Sequence, residues 1–438
     1  MTPTITAVDA WEVLDSRGDP TVRVACEVDG EARSERGVFT VPAGASTGAH
    51  EATERRDGDD RYDGRGVRGA VAAVREELAP AVVGVDATDQ RAVDATLEDR
   101  DGSEDLSRLG ANAVLGVSGA VAHAAAAARE IPLYAHVADL AGREPGRVPL
   151  PMVNLLSGGL HAAGGIEIQD FLVIPAGAET YPEAIETVHA VRSALRERLI
   201  ADGHRPLVAD EGGFAPPLGS VDEAFSLLES AARDAGHEPS REDVAFAVDV
   251  AATHFYDADA GQYRLESLGR ELDREGMLDL VEGWTERYPL VSVEDPLAED
   301  DWDGFTALRE RLDGTGVQCQ VLGDDLLATN TGRVERAVSG GAASAVLVKP
   351  NQAGTVTRTL DVVERARQAG LATVVSARSG ETCDATIADL AVGLDAGQIK
   401  IGSLARSERL AKYNRLLGID HEAERGYAGG RWPPTTEG

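Results

Sequence analysis

The lysines of this chain are its most conspicuous candidates for chemistry, because they are scarce. Of 42 lysines and arginines in 438 residues, only three are lysines. Arginine is effectively always protonated, whereas a desolvated lysine can lose its proton near neutral pH and act as a general base. Lys349 and Lys400 stand at the ends of apolar, strand-like runs and are therefore candidate bases. Lys412 falls in a helix-like segment, residues 405–417, and is interpreted as an ordinary surface residue.

Carboxylates follow several other apolar runs. Glu211, Asp249, Glu294 and Asp324 each follow such a run, and Arg378 follows another. If Asp249, Glu294 and Asp324 came within a few ångströms, they would repel one another strongly unless they were protonated or bound to a cation. Oxygen ligands without a nearby cysteine or histidine pair favour Mg2+, for which Mn2+ could substitute.

A lysine base and a separate carboxylic acid beside such a metal site suit one class of reaction. The base removes a proton next to a carboxylate, the metal holds the resulting enediolate, and the acid assists loss of a β-hydroxyl group. On this hypothesis Lys349 is the base and Glu211 is the acid.

The apolar runs that precede these residues alternate with longer helix-like segments such as residues 181–201 and 355–368. The runs are residues 171–174, 206–209, 244–248, 290–293, 317–322, 345–348 and 372–375. Continuous apolar runs are typical of buried parallel strands, and about eight such units predict an α/β fold with a (β/α)8 barrel. A doubly wound sheet would share the alternation, but no glycine-rich phosphate fingerprint follows an early strand. Because the C-terminal strand ends of a barrel share one face, we expect the charged residues to converge there.

The first third of the chain is organised differently. Strand-like residues 21–28 and an alanine-rich helical segment, residues 111–129, predict a mixed α+β unit. Residues 142–151 contain three prolines and two glycines, which suits a linker. We therefore predict a smaller N-terminal α+β domain, residues 1–140, and a catalytic barrel domain, residues 141–438.

The composition argues against several classes of partner. The net charge is −33 at pH 7, and no basic cluster could neutralise the phosphates of a nucleic acid or an anionic membrane. No run of 18 apolar residues occurs and the first ten residues have no basic flank, which predicts a soluble, cytoplasmic protein. Cys26, Cys319 and Cys383 are odd in number and far apart, and we interpret all three as reduced core residues.

Short motifs spread over nearly the whole chain point to a family. They are Asp15-Ser-Arg-Gly-Asp-Pro-Thr, Gly44-Ala-Ser-Thr-Gly, Gly110-Ala-Asn-Ala, Asp210-Glu-Gly-Gly-Phe-Ala-Pro, Ser292-Val-Glu-Asp-Pro, Gly323-Asp-Asp-Leu, Lys349-Pro-Asn-Gln, Arg378-Ser-Gly-Glu-Thr, Asp384-Ala-Thr-Ile-Ala-Asp-Leu-Ala-Val-Gly, Gln398-Ile-Lys and Ala405-Arg-Ser-Glu-Arg-Leu-Ala-Lys-Tyr-Asn. With these motifs the chain resembles the enolases, the phosphopyruvate hydratases that interconvert 2-phosphoglycerate with phosphoenolpyruvate and water. The resemblance implies an enolase-type (β/α)8 barrel and a small phosphorylated hydroxy-acid substrate. It also implies a homo-oligomer, either a dimer or an octamer.

The resemblance further implies two Mg2+ ions in each active site. Asp249, Glu294 and Asp324 would bind the first ion. Ser46, in a loop that closes over the site, would bind the second ion together with the substrate phosphate. Without the resemblance, Ser46 would be read as a turn residue in a glycine-rich loop.

Roles for the substrate-binding residues follow from the same resemblance, which also supports Lys349 as base and Glu211 as acid. Arg378 and Ser379 would bind the phosphate, and Lys400 would neutralise the carboxylate as it gains enediolate charge. His161 and Asp170 would lie by the leaving hydroxyl. Without the resemblance, His161 would be read as a loop histidine with ordinary hydrogen bonds.

Two departures from the family pattern leave alternatives open. Asp170 stands where enolases usually have glutamate, and Ala377 stands where they usually have histidine. Both changes remove bulk, and the resemblance implies that both positions face the end of the pocket near the leaving hydroxyl. One alternative is therefore a paralogue with a pocket enlarged for a modified 2-phosphoglycerate, as in carboxyphosphonoenolpyruvate formation in phosphonate biosynthesis. Another is a catalytically silent binding protein, against which the intact Lys349 and Glu211 argue.

Overall fold

The chain begins with a three-stranded antiparallel sheet in the order β1–β2–β3, formed by β1 (Ile5–Leu14), β2 (Pro20–Asp29) and β3 (Ser34–Thr40). The structure is a computed structural model and describes residues 2–29, 34–45, 48–162, 165–423 and 425–434. Five α-helices follow among the described residues: α1 (Arg68–Ala73), α2 (Ala79–Val82), α3 (Gln90–Asp101), α4 (Ala111–Ala128) and α5 (Leu133–Leu140). The strand expected at residues 21–28 and the helix expected at residues 111–129 are confirmed.

Helix α4 packs directly against the sheet because small residues allow close approach. A Cβ atom on Gly37 of β3 would lie 2.2 Å from the backbone nitrogen of Ala124 in α4. By length and composition α4 could cross a membrane, but 83% of it is buried inside the protein. It is therefore the core helix of the N-terminal unit.

The rest of the chain closes eight strands into a barrel. The barrel strands are β4 (Leu150–Ser157), β5 (Asp170–Pro175), β6 (Val244–Asp249), β10 (Leu290–Glu294), β11 (Gln320–Gly323), β12 (Ala345–Val348), β13 (Ala372–Ser376) and β14 (Gly397–Gly402). They pair in this order around the ring, and β14 closes on β4. Between β6 and β10 the chain forms a small antiparallel sheet from β7 (Tyr256–Asp257), β8 (Gln262–Leu265) and β9 (Arg270–Leu272).

One barrel strand runs against all the others. Strand β5 pairs antiparallel with both β4 and β6, whereas the remaining neighbours are parallel. The described residues between β4 and β5 contain no α-helix, and two α-helices then follow in series before β6. A uniform β/α alternation, as the sequence suggested, is therefore wrong for this first part of the barrel.

Helices surround the barrel in the expected manner. They are α6 (Tyr181–Ala201), α7 (Val221–Asp234), α8 (Arg274–Arg287), α9 (Trp302–Thr315), α10 (Thr331–Gly340), α11 (Pro350–Ala353), α12 (Val356–Gln368), α13 (Thr386–Gly393) and α14 (Ser407–Ala423). The predicted helix at residues 181–201 coincides with α6, which begins where the Thr180 side chain accepts a hydrogen bond from the Glu183 backbone. The predicted helix at 355–368 is α12, with Thr355 as its N-terminal cap.

Six of the seven predicted barrel strands correspond to observed strands, and one prediction is wrong. Residues 206–209 lie in the loop between α6 and α7, where Val208 makes only an isolated bridge to Phe214. Strand β4 begins inside the segment interpreted as a linker, because Pro151 is tolerated near a strand start. The N-terminal unit and the barrel have separate hydrophobic clusters, while the boundary at residue 140 stays a prediction.

Two predictions about burial are wrong. All three cysteines are free, but Cys383 is exposed and only Cys26 is fully buried. Lys412 is 1% exposed and does not lie on the surface. Its Nζ donates hydrogen bonds to the Glu381 carboxylate and to two backbone carbonyl groups, so its charge is accommodated inside the protein.

Candidate active site

The charged residues singled out in the sequence meet in one pocket at the C-terminal end of the parallel barrel strands. Asp249 and Glu294 are the last residues of their strands, and Asp324 and Lys349 each follow directly after a strand. Lys400 lies within β14 and not at its end, and Glu211 comes from the loop between α6 and α7 and not from a strand. The lining residues include Asp249, Asp324, Lys349, Arg378, Lys400, Glu211, His161 and Asp170.

Two lysines are paired with the carboxylates of this pocket. Lys400 Nζ donates to Asp249 Oδ2 at 2.8 Å and to Glu294 Oε2 at 2.7 Å. Lys349 Nζ donates to Asp324 Oδ2 at 2.5 Å. The strands β6, β10 and β14 therefore place one cation between two carboxylates, and β11 and β12 place a second ion pair beside it.

Burial and the neighbouring charges shift the pKa values of the ionisable groups in this cluster. Burial and repulsion from Asp249 raise the pKa of Glu294 well above its ordinary value. Burial opposes the charge of Lys400, but Asp249 and Glu294 outweigh it and raise the pKa of that lysine. Burial also opposes the charge of Asp324, yet the adjacent Lys349 lowers the pKa of this carboxylate. The cluster therefore depends on positive charge close to its carboxylates.

The carboxylates offer a donor set that fits a divalent cation. Glu294 Oε1 is buried and accepts no hydrogen bond from any described residue. One oxygen each of Glu294, Asp295 and Asp324 lies within 4.8 Å of the others. Hard cations such as Mg2+ take ligands of this kind, so the residues present fit such an ion. Ser46, the predicted ligand of a second ion, lies outside the described residues.

Asp295 was missed by the sequence reasoning, although it stands next to Glu294 in the Ser292-Val-Glu-Asp-Pro motif. Its carboxylate accepts hydrogen bonds from the backbone of Asp324 at 3.2 Å and of Asp325 at 2.7 Å. Gln352 was also missed, and its Nε2 donates to Asp324 Oδ1 at 2.9 Å. These two residues orient Asp324. Both stand close to residues that the sequence had singled out, Asp295 next to Glu294 and Gln352 in the motif that begins at Lys349, and this proximity could have identified them.

A second group of ionisable residues occupies the same pocket. Asp170 Oδ2 lies 3.2 Å from His161 Nδ1, and His161 Nε2 lies 3.9 Å from Glu211 Oε1. The other oxygen of Asp170 accepts hydrogen bonds from Asn154 at 2.5 Å and from Ser157 at 2.9 Å. Asp170 therefore holds His161 towards Glu211, despite being one methylene shorter than the usual glutamate.

His161 is expected to stay protonated through pH 8 and to titrate near pH 9. Burial opposes its charge, but Asp170 and Glu211 outweigh burial and raise the pKa of His161 from 6.5 to about 9. Because the folded-state pKa lies above the ordinary value, this charge stabilises the fold fully below about pH 6.5, and its contribution disappears as the pH rises through about 9. A 1H NMR titration of the imidazole would measure it, with Asp170→Asn as the variant expected to lower this pKa. A midpoint near 6.5 in the unaltered protein would contradict the geometry.

Arg378 and Ser379 lie on the loop after β13, at the border with the N-terminal unit. The Arg378 guanidinium donates to both oxygens of Glu51, at 2.7 and 3.2 Å, and to Asn351 Oδ1 at 3.1 Å. Burial opposes the charge of Arg378, but Glu51 outweighs it and raises its pKa further above the ordinary value. Ser379 Oγ accepts a hydrogen bond from the Ala45 backbone at 2.6 Å. Glu51 was not singled out in the sequence, where it lies three residues after the Gly44–Gly48 motif.

Comparisons with known proteins agree with this architecture. The family model described as the enolase N-terminal domain matches residues 5–137, and the one described as the enolase C-terminal TIM barrel domain matches residues 146–432. A curated protein named enolase, from Acidothermus cellulolyticus, is 50% identical to this chain over 424 residues. The match covers 96% of this chain and 95% of that protein.

Proposed function

Because the chain belongs to the enolase family, a family of hydro-lyases that act on a small phosphorylated substrate with a divalent metal, we propose that it interconverts 2-phosphoglycerate with phosphoenolpyruvate and water. The observation that carries the proposal is the meeting of two ionisable groups in one pocket. Lys349 and Lys400 are paired with carboxylates in the first group, and His161, Asp170 and Glu211 form the second. One group suits removal of a proton, and the other suits loss of a hydroxyl.

Asp249, Glu294 and Asp324 would hold Mg2+, and Ser46 would contribute to a second Mg2+ site. When bound, the metal would supply stabilisation for negative charge that develops on the substrate carboxylate. Lys400 would add to this stabilisation, because its Nζ is held by Asp249 and Glu294, two of the carboxylates proposed to hold the metal.

Lys349 is proposed to accept the proton from C2 of the substrate. Its surroundings act in both directions: burial, Arg378 and Lys400 favour the neutral amine, whereas Asp324 favours the ammonium. A base must be neutral before it accepts a proton. The balance between Asp324 and the two neighbouring cations therefore determines whether Lys349 is neutral. In the substrate-free protein Asp324 dominates and raises the pKa of Lys349.

Glu211 is proposed to assist departure of the hydroxyl as the general acid. Burial opposes the charge of Glu211, but Arg409 and His161 outweigh it and lower its pKa. Protonated His161, whose Nε2 lies 3.9 Å from Glu211 Oε1, is in this proposal a second proton donor beside the leaving oxygen. Asp170 fixes the ring of His161 for this purpose.

Arg378 and Ser379 are proposed to bind the phosphate group. A guanidinium offers a planar pair of donors that matches phosphate oxygens, and the serine hydroxyl adds a third donor. We also propose a cytoplasmic homo-oligomer, either a dimer or an octamer, on the strength of family membership, and light scattering would measure its size.

Steady-state kinetics with 2-phosphoglycerate and Mg2+ test the function directly. We expect kcat/KM of at least about 10⁴ M⁻¹s⁻¹, an ordinary value for an enzyme on its own substrate. Formation of phosphoenolpyruvate can be followed by its ultraviolet absorbance. A far lower rate with the metal still bound would contradict the substrate assignment and favour the enlarged-pocket alternative.

Asp170 and Ala377 decide between these readings. Both line the pocket, which supports the alternative of a larger substrate. The hydrogen bond between His161 Nδ1 and Asp170 Oδ2, at 3.2 Å, supports the ordinary reaction. If the alternative holds, the double variant Asp170→Glu with Ala377→His should turn over 2-phosphoglycerate faster than the unaltered protein. A protein that neither binds Mg2+ nor exchanges the C2 proton would instead be a silent binding protein.

A further inference from the structure

The third lysine of the chain lies beneath the loop that carries Arg378 and Ser379. This loop, residues 377–382, is the first part of the connection from β13 to α13 and borders the pocket. Helix α14 packs behind it and contributes two buried cations, Arg409 and Lys412, which are 0% and 1% exposed. Burying a cation is costly unless its donors are satisfied, so the partners of these two side chains are informative.

Arg409 binds the backbone of the loop directly. Its Nη1 donates to the carbonyl oxygen of Arg378 at 2.6 Å, and its Nη2 donates to the carbonyl oxygen of Ser379 at 2.6 Å. A further hydrogen bond runs from Nη1 to the Ile401 carbonyl at 3.1 Å, next to Lys400 in β14. The carbonyl groups of both phosphate-binding residues are therefore turned away from the pocket, towards α14.

Lys412 holds the same loop through Glu381. Its Nζ donates to Glu381 Oε2 at 2.8 Å, to the Thr382 carbonyl at 2.6 Å and to the Glu408 carbonyl at 2.8 Å. The other oxygen of Glu381 accepts a hydrogen bond from the backbone N–H of Arg378 at 3.0 Å. A chain of hydrogen bonds thus links Lys412 to the backbone of Arg378.

We infer that Arg409 and Lys412 are positioning residues that shape the 377–382 loop for binding a phosphate group. Carbonyl oxygens carry partial negative charge and would repel a phosphate if they faced it. Both cations draw carbonyl groups of the loop towards α14, which leaves the Arg378 side chain to face the pocket. The inference rests on the proposed role of Arg378 and Ser379, and it names residues that would act through them without touching the substrate.

Lys412 gives the cleaner test, because Arg409 also lowers the pKa of Glu211. The Lys412→Met variant keeps the bulk and removes the charge. We expect its dissociation constant for orthophosphate, measured by calorimetry with Mg2+ present, to rise by about 10–100-fold, as for other groups that orient a binding residue. We expect KM for 2-phosphoglycerate to rise by a similar factor with little change in kcat, because the lost interaction binds the substrate and the transition state equally.

Arg415→Met is the matched control. Arg415 is a cation of the same helix, but its hydrogen bonds at 2.6 and 2.8 Å go to Asp389 in α13. This variant should bind orthophosphate and 2-phosphoglycerate as the unaltered protein does. If Lys412→Met lowers the melting temperature but leaves both constants unchanged, Lys412 is only structural and the inference is wrong.

A second variant separates positioning from stability. Glu381→Gln combined with Lys412→Met removes the unpaired buried carboxylate that the single change creates, so the melting temperature should recover while phosphate binding stays weak. Recovery of phosphate binding together with stability would overturn the inference. If Lys412→Met does not fold, this double variant carries the test, with weak binding supporting the inference and normal binding contradicting it.

Failure of this inference can be distinguished from failure of the proposed function. An unaltered protein that binds orthophosphate but does not dehydrate 2-phosphoglycerate would contradict the function and leave the comparison of variants valid. An unaltered protein that does not bind orthophosphate would overturn the inference itself.

Discussion

Lys349→Ala is expected to lower kcat for dehydration of 2-phosphoglycerate by about 10²–10⁴-fold, the usual contribution of a general base. It is also expected to abolish exchange of the C2 proton with solvent. The physical reason is that Lys349 is the amine held by Asp324 beside the carboxylate cluster. Burial and two neighbouring cations favour its neutral form, but Asp324 outweighs them in the substrate-free protein, so the base must lose its proton before it can accept the one from C2. Exchange can be measured by mass spectrometry or NMR in deuterated water, separately from loss of the hydroxyl.

Lys349→Arg is the informative control for this experiment. A guanidinium can preserve the charge facing Asp324, but it stays protonated and cannot act as a base. The arginine variant should therefore be as inactive in proton exchange as the alanine variant. Retained exchange in either variant would refute the assignment of Lys349 as the base.

Replacing Glu294 with glutamine should have the second large effect, a loss of divalent metal affinity of at least about 100-fold. Groups that merely orient a ligand are commonly worth about 10–100-fold, and Glu294 is proposed to bind the metal itself. Its Oε1 atom is buried without a hydrogen-bond partner among the described residues, and its Oε2 atom faces Lys400. Glutamine would keep the shape and remove the charge. Electron paramagnetic resonance of bound Mn2+ would measure the affinity.

Asp300→Asn serves as the control for metal binding. Asp300 is an exposed carboxylate that faces His50 at 3.1 Å and Arg333 at 2.9 Å. Its replacement by asparagine removes one negative charge, as Glu294→Gln does. It should leave Mn2+ affinity nearly unchanged. Equal losses in both variants would mean that net charge, and not coordination by Glu294, determines the affinity.

The sequence predicted that the charged residues at the strand ends would meet in one pocket, because one physical rule applied to them. Buried parallel strands appear as short apolar runs, and their C-terminal ends meet at one face of a barrel. Asp249, Glu294 and Lys349 could therefore be placed together from their positions after such runs. Lys400 lies inside its strand and not at its end, so that part of the prediction was wrong, and it was the scarcity of lysine that singled this residue out.

That rule could not predict other features of the structure. An apolar run of four residues does not distinguish a strand from a loop, which is why residues 206–209 were misread. Lys412 was misread because the residue that neutralises it, Glu381, lies 31 positions away in the sequence. Burial of a charged side chain is decided by such a distant partner, and a single helix-like segment contains no sign of it.

The reversed direction of β5 has a consequence for how this pocket can change. Since β5 is antiparallel, its first residue, Asp170, stands at the same rim as Ser157, the last residue of β4, and the two are paired neighbours. The side of the pocket with His161 and Asp170 thus comes largely from the described residues between Asn154 and Asp170, whereas the carboxylates proposed to hold the metal stand at the ends of β6, β10 and β11, far apart in the sequence. We therefore expect that exchange of this one short segment between relatives alters substrate preference and leaves the carboxylates proposed to hold the metal in place.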